Sequence, residues 1–217
     1  MEKYNSIIWD LDGTLLDTLD DLRDSVNAAL TKFHLPTKTK MEVRRFLGNG
    51  MLALVERSVP DGQQHPQFQD IYSFFELHYA KNSRNKTRPY KGLEKVLPEL
   101  KALGYHMAIV SNKADYLVKE LAKYYFRDVI SVAIGESKGI RKKPCPDTAL
   151  EAMRLLHAEK LSSVYIGDSE VDIKTAENAG IDCLSVSWGF RDNSELQASG
   201  ASRIVNTPKE LLEILKG

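Results

Sequence analysis

The spacing of apolar and polar positions divides this chain into two kinds of segment. Ser6 to Trp9 is a short apolar run rich in β-forming residues, and it predicts a buried strand. From Leu19 the period changes. Leu19, Leu22, Val26, Ala29, Leu30 and Phe33 recur at three and four, which predicts an amphipathic helix capped by Asp17 or Thr18 and broken at Leu35-Pro36-Thr37. Further helices are expected over about 41–47, ended by Gly48-Asn49-Gly50, and over about 51–59. Pro60-Asp61-Gly62 and the polar stretch 63–67 read as a loop. An aromatic-rich helix follows over 68–81, with Phe68, Ile71, Tyr72, Phe75 and Tyr79 on one face. The polar, basic stretch 82–88 reads as a linker.

Beyond Pro89, strand-like and helix-like patterns alternate. A helix is expected over 93–103, with Pro98 a local irregularity, then a strand over 107–110 ending in Ser111-Asn112-Lys113. A helix over 114–125, a strand near 129–134 and a helix over 144–156 follow, the last with Pro144 or Pro146 in its first turn. A strand over 164–166 ends in Gly167-Asp168-Ser169, a helix over 171–179 stops at Gly180, a strand covers 183–186, and an amphipathic helix spans 208–215. Such alternation predicts an α/β fold with a doubly wound, mostly parallel sheet and right-handed crossovers. The first strand belongs to that sheet. Residues 1–15 and 89–217 are therefore expected to form the α/β core, with residues 16–88 as an inserted all-helical domain.

Composition narrows the functional classes. The 217 residues are 42% apolar and 28% charged, an ordinary balance for a globular protein. Thirty basic and thirty acidic residues cancel, so no net field favours nucleic acid or an anionic membrane. No run approaches the roughly 18–20 apolar residues of a membrane span, and no signal-peptide pattern opens the chain. Cys145 and Cys183 lie far apart and read as reduced thiols of a cytoplasmic protein. A monomer and a homodimer are both compatible with the sequence.

Candidate chemistry sits at strand ends, where open parallel sheets bind their ligands. Asp10 and Asp12 alternate across Leu11 at the end of the first strand, with Gly13 freeing the turn. Ser111 and Asn112 offer a hydroxyl and an amide at a strand-to-helix junction, which outlines an anion site and equally suits a helix cap. Lys143 precedes Pro144 in a basic run that, taken alone, reads as solvated. Asp168 ends a strand and Asp172 lies in the first turn of the next helix, where the helix dipole alone would favour it.

Taken in order, Asp-x-Asp-Gly-Thr, strand-end Ser-Asn, Lys-Pro and Gly-Asp-x-x-x-Asp resemble the four motifs of the haloacid dehalogenase-like superfamily, over essentially the whole chain. The resemblance implies that Asp10 is a nucleophile forming an aspartyl-phosphate and that Asp12 is the general acid and base. An aspartate at position 12 points to the phosphatase and mutase branches, because the dehalogenating enzymes lack it and the transport ATPases carry threonine there. Asp10, Asp12, Asp168 and Asp172 crowded together require cations. The resemblance implies Mg²⁺ held by Asp10, the Asp12 carbonyl and Asp168, with Asp172 acting through water, and Lys143 as the second cation. Ser111 and Asn112 would hold phosphate oxygens. The resemblance also implies that the doubly wound core is Rossmann-like and that the helical insert over 16–88 is a cap domain. Within the superfamily the chain looks most like the phosphoglycolate phosphatase group, on Asp-Leu-Asp-Gly-Thr-Leu-Leu-Asp-Thr, Gly48-Asn49-Gly50 with Leu54 to Arg57, and Pro89-Tyr90-Lys91-Gly92. The expected substrate is a small phosphorylated metabolite, with Gly48, Asn49, Gly50 and Arg57 or Arg45 meeting its second anionic group. Relatives bearing the same motifs hydrolyse pyrophosphate, sugar phosphates or nucleotides, or isomerise β-glucose 1-phosphate. Outside enzymes, a binding or regulatory protein can use the same fold.

Overall fold

The computed structural model describes residues 4–217. Strand β1 (Ser6–Trp9) opens the chain, and every one of its residues is buried. A two-residue strand, β2 (Leu16–Asp17), leads into four helices: α1 (Leu19–Lys32), α2 (Lys40–Phe46), α3 (Gly50–Ser58) and α4 (Phe68–Asn82), with a 3₁₀ turn at Gly62–Gln64. The chain returns through β3 (Arg88–Pro89), which pairs with β2. Then come α5 (Leu93–Ala102), β4 (His106–Ala114), α6 (Asp115–Tyr125), β5 (Val132–Glu136) and α7 (Asp147–Leu156). The last third holds β6 (Ser163–Gly167), α8 (Glu170–Ala179), β7 (Asp182–Val186), α9 (Asn193–Ala198), β8 (Ile204–Val205) and α10 (Pro208–Lys216). The chain divides into two compact units, residues 1–16 with 89–217, and residues 17–88.

The first unit is an α/β sandwich. Its six strands run in the order β5-β4-β1-β6-β7-β8, and every paired neighbour is parallel. A parallel sheet covered on both faces needs strands that are apolar on both sides, which is why β1 and β6 are buried along their whole length. Side chains alternate between faces. Ile7 and Trp9 pack with Leu97, Val118 and Leu211 on one side, while Ile8 packs with Ala152, Met153 and Ala176 on the other. Strand order reverses around β1, whose neighbours are β4 and β6, so the carboxyl end of β1 lies at the topological switch point.

Residues 17–88 fold as α1 to α4. On α4, Phe68, Ile71, Phe75 and Tyr79 are buried, and the Phe75 and Tyr79 rings stack at 5.9 Å. The polar stretch read as a linker is anchored at Lys86 and Thr87. Thr87 is fully buried, and Asp21, itself 2% exposed, accepts hydrogen bonds from the Lys86 and Thr87 amides at 2.8–3.0 Å and from Thr87 Oγ1 at 2.8 Å. Polarity alone hid this, because the buried acceptor lies 65 residues upstream. Asp21→Ala would leave these donors unpaired in a dry site, at a cost of about 2–3 kcal/mol. Melting about 4–12 °C below wild type and new proteolytic cleavage within 82–88 are the expected results.

Other boundaries moved for local reasons. Strand β4 continues past Val110 to Ala114 through a register shift against β5, so Ser111 and Asn112 end a strand and do not open α6. Strand β5 starts three residues later than the apolar run at Val129 suggests, since Val129 and Ile130 close the α6 C-terminus through hydrogen bonds to the Phe126 carbonyl. Helix α7 starts at Asp147, with Pro144 outside it and Pro146 at its N-cap. Among the described residues, no helix is long and apolar enough to cross a membrane.

Candidate active site

The site is assembled at the carboxyl ends of β1, β4 and β6. The Asp10 amide extends the β1–β6 pairing by donating to the Ile166 carbonyl at 2.8 Å. The chain then turns back on itself, with the Leu15 and Leu16 amides both donating to the Leu11 carbonyl. Gly13 makes the turn at φ +91°, and a side chain there would run into the Asp168 carboxylate, so glycine is required twice over. Thr14 Oγ1 donates to Asp168 Oδ1 at 3.3 Å.

Lys143 is held from β4. Its amide donates to Asn112 Oδ1 at 2.8 Å, and Asn112 Nδ2 donates back to its carbonyl at 3.0 Å. Arg141 and Lys142 are exposed, but Lys143 is only 4% exposed and turns its ammonium into the site. There Nζ lies 2.6 Å from Asp10 Oδ1, 2.8 Å from Asp172 Oδ1 and 3.1 Å from the Tyr165 hydroxyl. Asp172 is fixed by its helix end, its Oδ2 accepting from the Ser169 amide at 3.1 Å and Ser169 Oγ at 2.7 Å in a capping box. Asp168 Oδ2 accepts from the Phe190 amide at 2.6 Å. The loop after β7 that carries this amide is secured by Trp188 Nε1, which donates to the Thr14 carbonyl at 3.0 Å.

Asp10, Asp168 and Asp172 present carboxylate oxygens within 4.8 Å of one another, all buried. Burial pushes the Asp10 carboxyl up to about 7, with the Asp172 and Asp12 charges adding to it and Lys143 opposing. Burial, then the Asp10 and Asp172 charges, hold Asp168 well above the usual carboxylate range. Burial works against the Lys143 ammonium, but Asp10 and Asp172 outweigh it and keep Lys143 well above an ordinary lysine. Two of the three clustered carboxylates, those of Asp10 and Asp172, thus pair with one ammonium. A buried cluster of hard oxygen donors with excess negative charge fits a divalent cation.

Of the residues expected from the sequence, Asp10, Lys143, Asp168 and Asp172 come together in this cluster. Asp12 stands beside it, its carboxylate paired with Lys113. Ser111 Oγ accepts from the Lys113 amide at 3.2 Å, and the Asn112 side chain is engaged with the main chain of Lys143. Gly48, Asn49, Gly50 and Arg57 belong to the helical unit. There Asn49 occupies the N-cap position of α3 without a side-chain capping bond, and Arg57 Nη1 donates to the Phe46 carbonyl at 2.6 Å. Sequence reasoning missed Lys113, Tyr165 and the 188–190 loop. Gly189 was the one available signal for the loop, since a side chain there would strike the Gly13 carbonyl and Asp168. Cys145 and Cys183 are free thiols, and burial pushes Cys183 up to about 12.

A family model described as haloacid dehalogenase-like hydrolase matches residues 7–186. A protein of Mesorhizobium japonicum named phosphoglycolate phosphatase is 34% identical, the match covering 86% of this chain and 84% of that protein. One of the same name from Psychrobacter arcticus is 32% identical, covering 88% and 86%. A crystal structure of a Lactobacillus delbrueckii subsp. bulgaricus protein superposes with a TM-score of 0.93 at 33% identity, covering 98% of each chain. Sequence match, sheet order and the convergence of strand-end aspartates agree, and the chain belongs to the haloacid dehalogenase-like hydrolases.

Proposed function

We propose that this hydrolase is a Mg²⁺-dependent phosphomonoesterase that forms an aspartyl-phosphate on Asp10 and acts on a small anion such as 2-phosphoglycolate. The reading is carried by one observation, the buried Lys143 ammonium seated on Asp10 and Asp172 while Asp168 completes the carboxylate cluster. Lys143 keeps Asp10 oriented and offsets its charge, so that a carboxylate can approach a phosphoryl group that is itself anionic. An Asp10 oxygen bonds to phosphorus as the bond from phosphorus to the leaving oxygen breaks, and Asp12 gives its proton to that oxygen. Asp12 then takes a proton from water as the water oxygen bonds to phosphorus. The bond from Asp10 to phosphorus breaks, and inorganic phosphate leaves. Ser111 and the main chain around Asn112 hold phosphoryl oxygens.

The groups that would hold the cation are Asp10, the Asp12 main-chain carbonyl, Asp168 and Asp172. When bound, Mg²⁺ supplies positive charge to the nucleophile and the phosphoryl oxygens. The names of the curated relatives support 2-phosphoglycolate as substrate, and the free thiols support a cytoplasmic setting. The test is phosphate release with Mg²⁺ from 2-phosphoglycolate, pyrophosphate, glucose phosphates and nucleoside monophosphates. The highest kcat/KM is expected on 2-phosphoglycolate, with activity lost in EDTA. A pyrophosphate maximum or a flat profile would overturn the substrate assignment. No release from any of them by folded, Mg²⁺-loaded protein would overturn the reaction.

A further inference from the structure

We propose that Lys113 is a positioning residue for Asp12, an inference that rests on the proton-transfer role given to Asp12 above. Lys113 lies near the end of β4, two residues after Ser111, in the stretch between Val110 and Ala114 where the pairing of β4 with β5 shifts register. Such irregularities re-aim side chains at sheet ends. The lysine side chain is 2% exposed, and its Nζ sits 2.5 Å from Asp12 Oδ1, whereas the Asp12 side chain is 19% exposed.

Both halves of that pair need explaining. Burying an ammonium is costly unless it is paired, and fixing a lysine side chain costs about 1.5–2 kcal/mol of rotamer entropy. An apolar residue of similar length would fill the strand end without the cost of burying a charge. Lys143 already serves Asp10 and Asp172. The second buried ammonium is spent on the one site carboxylate that is partly open to water. A carboxylate in that position has rotamers and solvent available to it. A general acid must meet one leaving oxygen and later one water, and a misplacement of about 1 Å can cost about 10²-fold in rate. By holding Oδ1, Lys113 fixes the rotamer from which Asp12 delivers and recovers its proton.

Lys113→Met, close in shape but without charge, tests this through the leaving group. Proton donation matters for an alkoxide leaving group and little for p-nitrophenolate. In the variant, kcat/KM for 2-phosphoglycolate should fall about 10²-fold, while that for p-nitrophenyl phosphate changes less than about threefold. Breakdown of the Asp10 acyl phosphate still requires Asp12 to take a proton from water, so p-nitrophenolate release should acquire a burst equal to the enzyme concentration. Asp12→Asn combined with Lys113→Met should be no slower than Asp12→Asn alone. If Lys113→Met does not fold, Lys113→Arg keeps the charge with different geometry and should show the same leaving-group pattern. Equal losses on both esters, a change confined to KM, or additivity in the double variant would overturn the assignment, because each describes a substrate-binding or purely structural lysine. A wild-type protein inactive on both esters would refute the phosphatase reading and this inference with it. Wild-type turnover with equal losses would refute only the role of Lys113.

Discussion

Asp10→Asn is expected to abolish phosphate release and, with metal chelated, to raise the melting temperature. An amide oxygen is not a competent nucleophile toward phosphorus, so kcat should fall by at least about 10⁴-fold. The stability gain comes from the same burial that shapes the site. The Asp10 carboxyl is pushed from 3.8 up to about 7, first by burial and then by the Asp172 and Asp12 charges, against the pull of Lys143. A raised carboxyl means that the folded chain holds this proton more tightly than the unfolded chain. Asp10 therefore costs nothing below about pH 4, costs progressively more as pH rises toward about 7, and exacts its full penalty above that. A rise from 3.8 to about 7 corresponds to at most about 4 kcal/mol, or up to roughly 8–16 °C of melting temperature in a chain of this size. Asparagine retains an acceptor for Lys143 and removes the charge. In EDTA the variant should melt several degrees above wild type at pH 8 and level with it near pH 4. Mg²⁺ should narrow the gap, because the wild-type cluster binds it more tightly. A variant within tenfold of wild-type turnover, or one less stable in EDTA at pH 8, would contradict this account.

The features legible in the sequence were those whose causes are local. Strands β1 and β6 are buried on both faces and therefore read as unbroken apolar runs. The helices announce themselves by period, with Leu211, Leu212 and Leu215 on α10 an example. Asp10 and Asp168 could be placed at one edge because a parallel sheet gathers carboxyl ends there, a rule that needs only the strands. What stayed hidden depends on partners distant in sequence. Lys113 looks like any polar residue closing a strand, and its burial is decided by Asp12, 101 residues away. Tyr165 reads as a core aromatic in an apolar strand, and nothing local says that its hydroxyl meets Lys143. Asn112 was expected to face phosphate because its amide suits an anion; that amide also matches a peptide group, and it donates to the Lys143 carbonyl and accepts from the Lys143 amide. Helix α9 and strand β8, six and two residues long, are too short to show a period.

Lys143→Met should be the most damaging single change to the metal-free fold. It removes the ammonium placed 2.6 Å from Asp10 and 2.8 Å from Asp172 and leaves three buried carboxylates, Asp168 included, within 4.8 Å of one another. Two such charges repel by about 3–4 kcal/mol at an effective dielectric of 20, and breaking a buried ion pair typically costs about 3–5 kcal/mol. A fall of about 10 °C or more in melting temperature is expected in EDTA at pH 8. The cluster has one escape, which is to take up protons. Asp10 and Asp168 already lie high because of burial, and losing Lys143 moves both further up. The destabilisation should accordingly shrink as pH is lowered from 8 toward 5. Adding Mg²⁺ should restore more stability to the variant than it adds to wild type, since the two cations answer the same excess charge. It should not restore turnover, because the ammonium also orients Asp10 toward phosphorus, and kcat should stay at least about 10²-fold low. Melting curves with EDTA and with Mg²⁺, at pH 5 and pH 8, separate these effects. A variant that melts within 2 °C of wild type in EDTA would mean that Lys143 does not balance the cluster. One that regains full turnover with Mg²⁺ would mean that it balances charge and does nothing more.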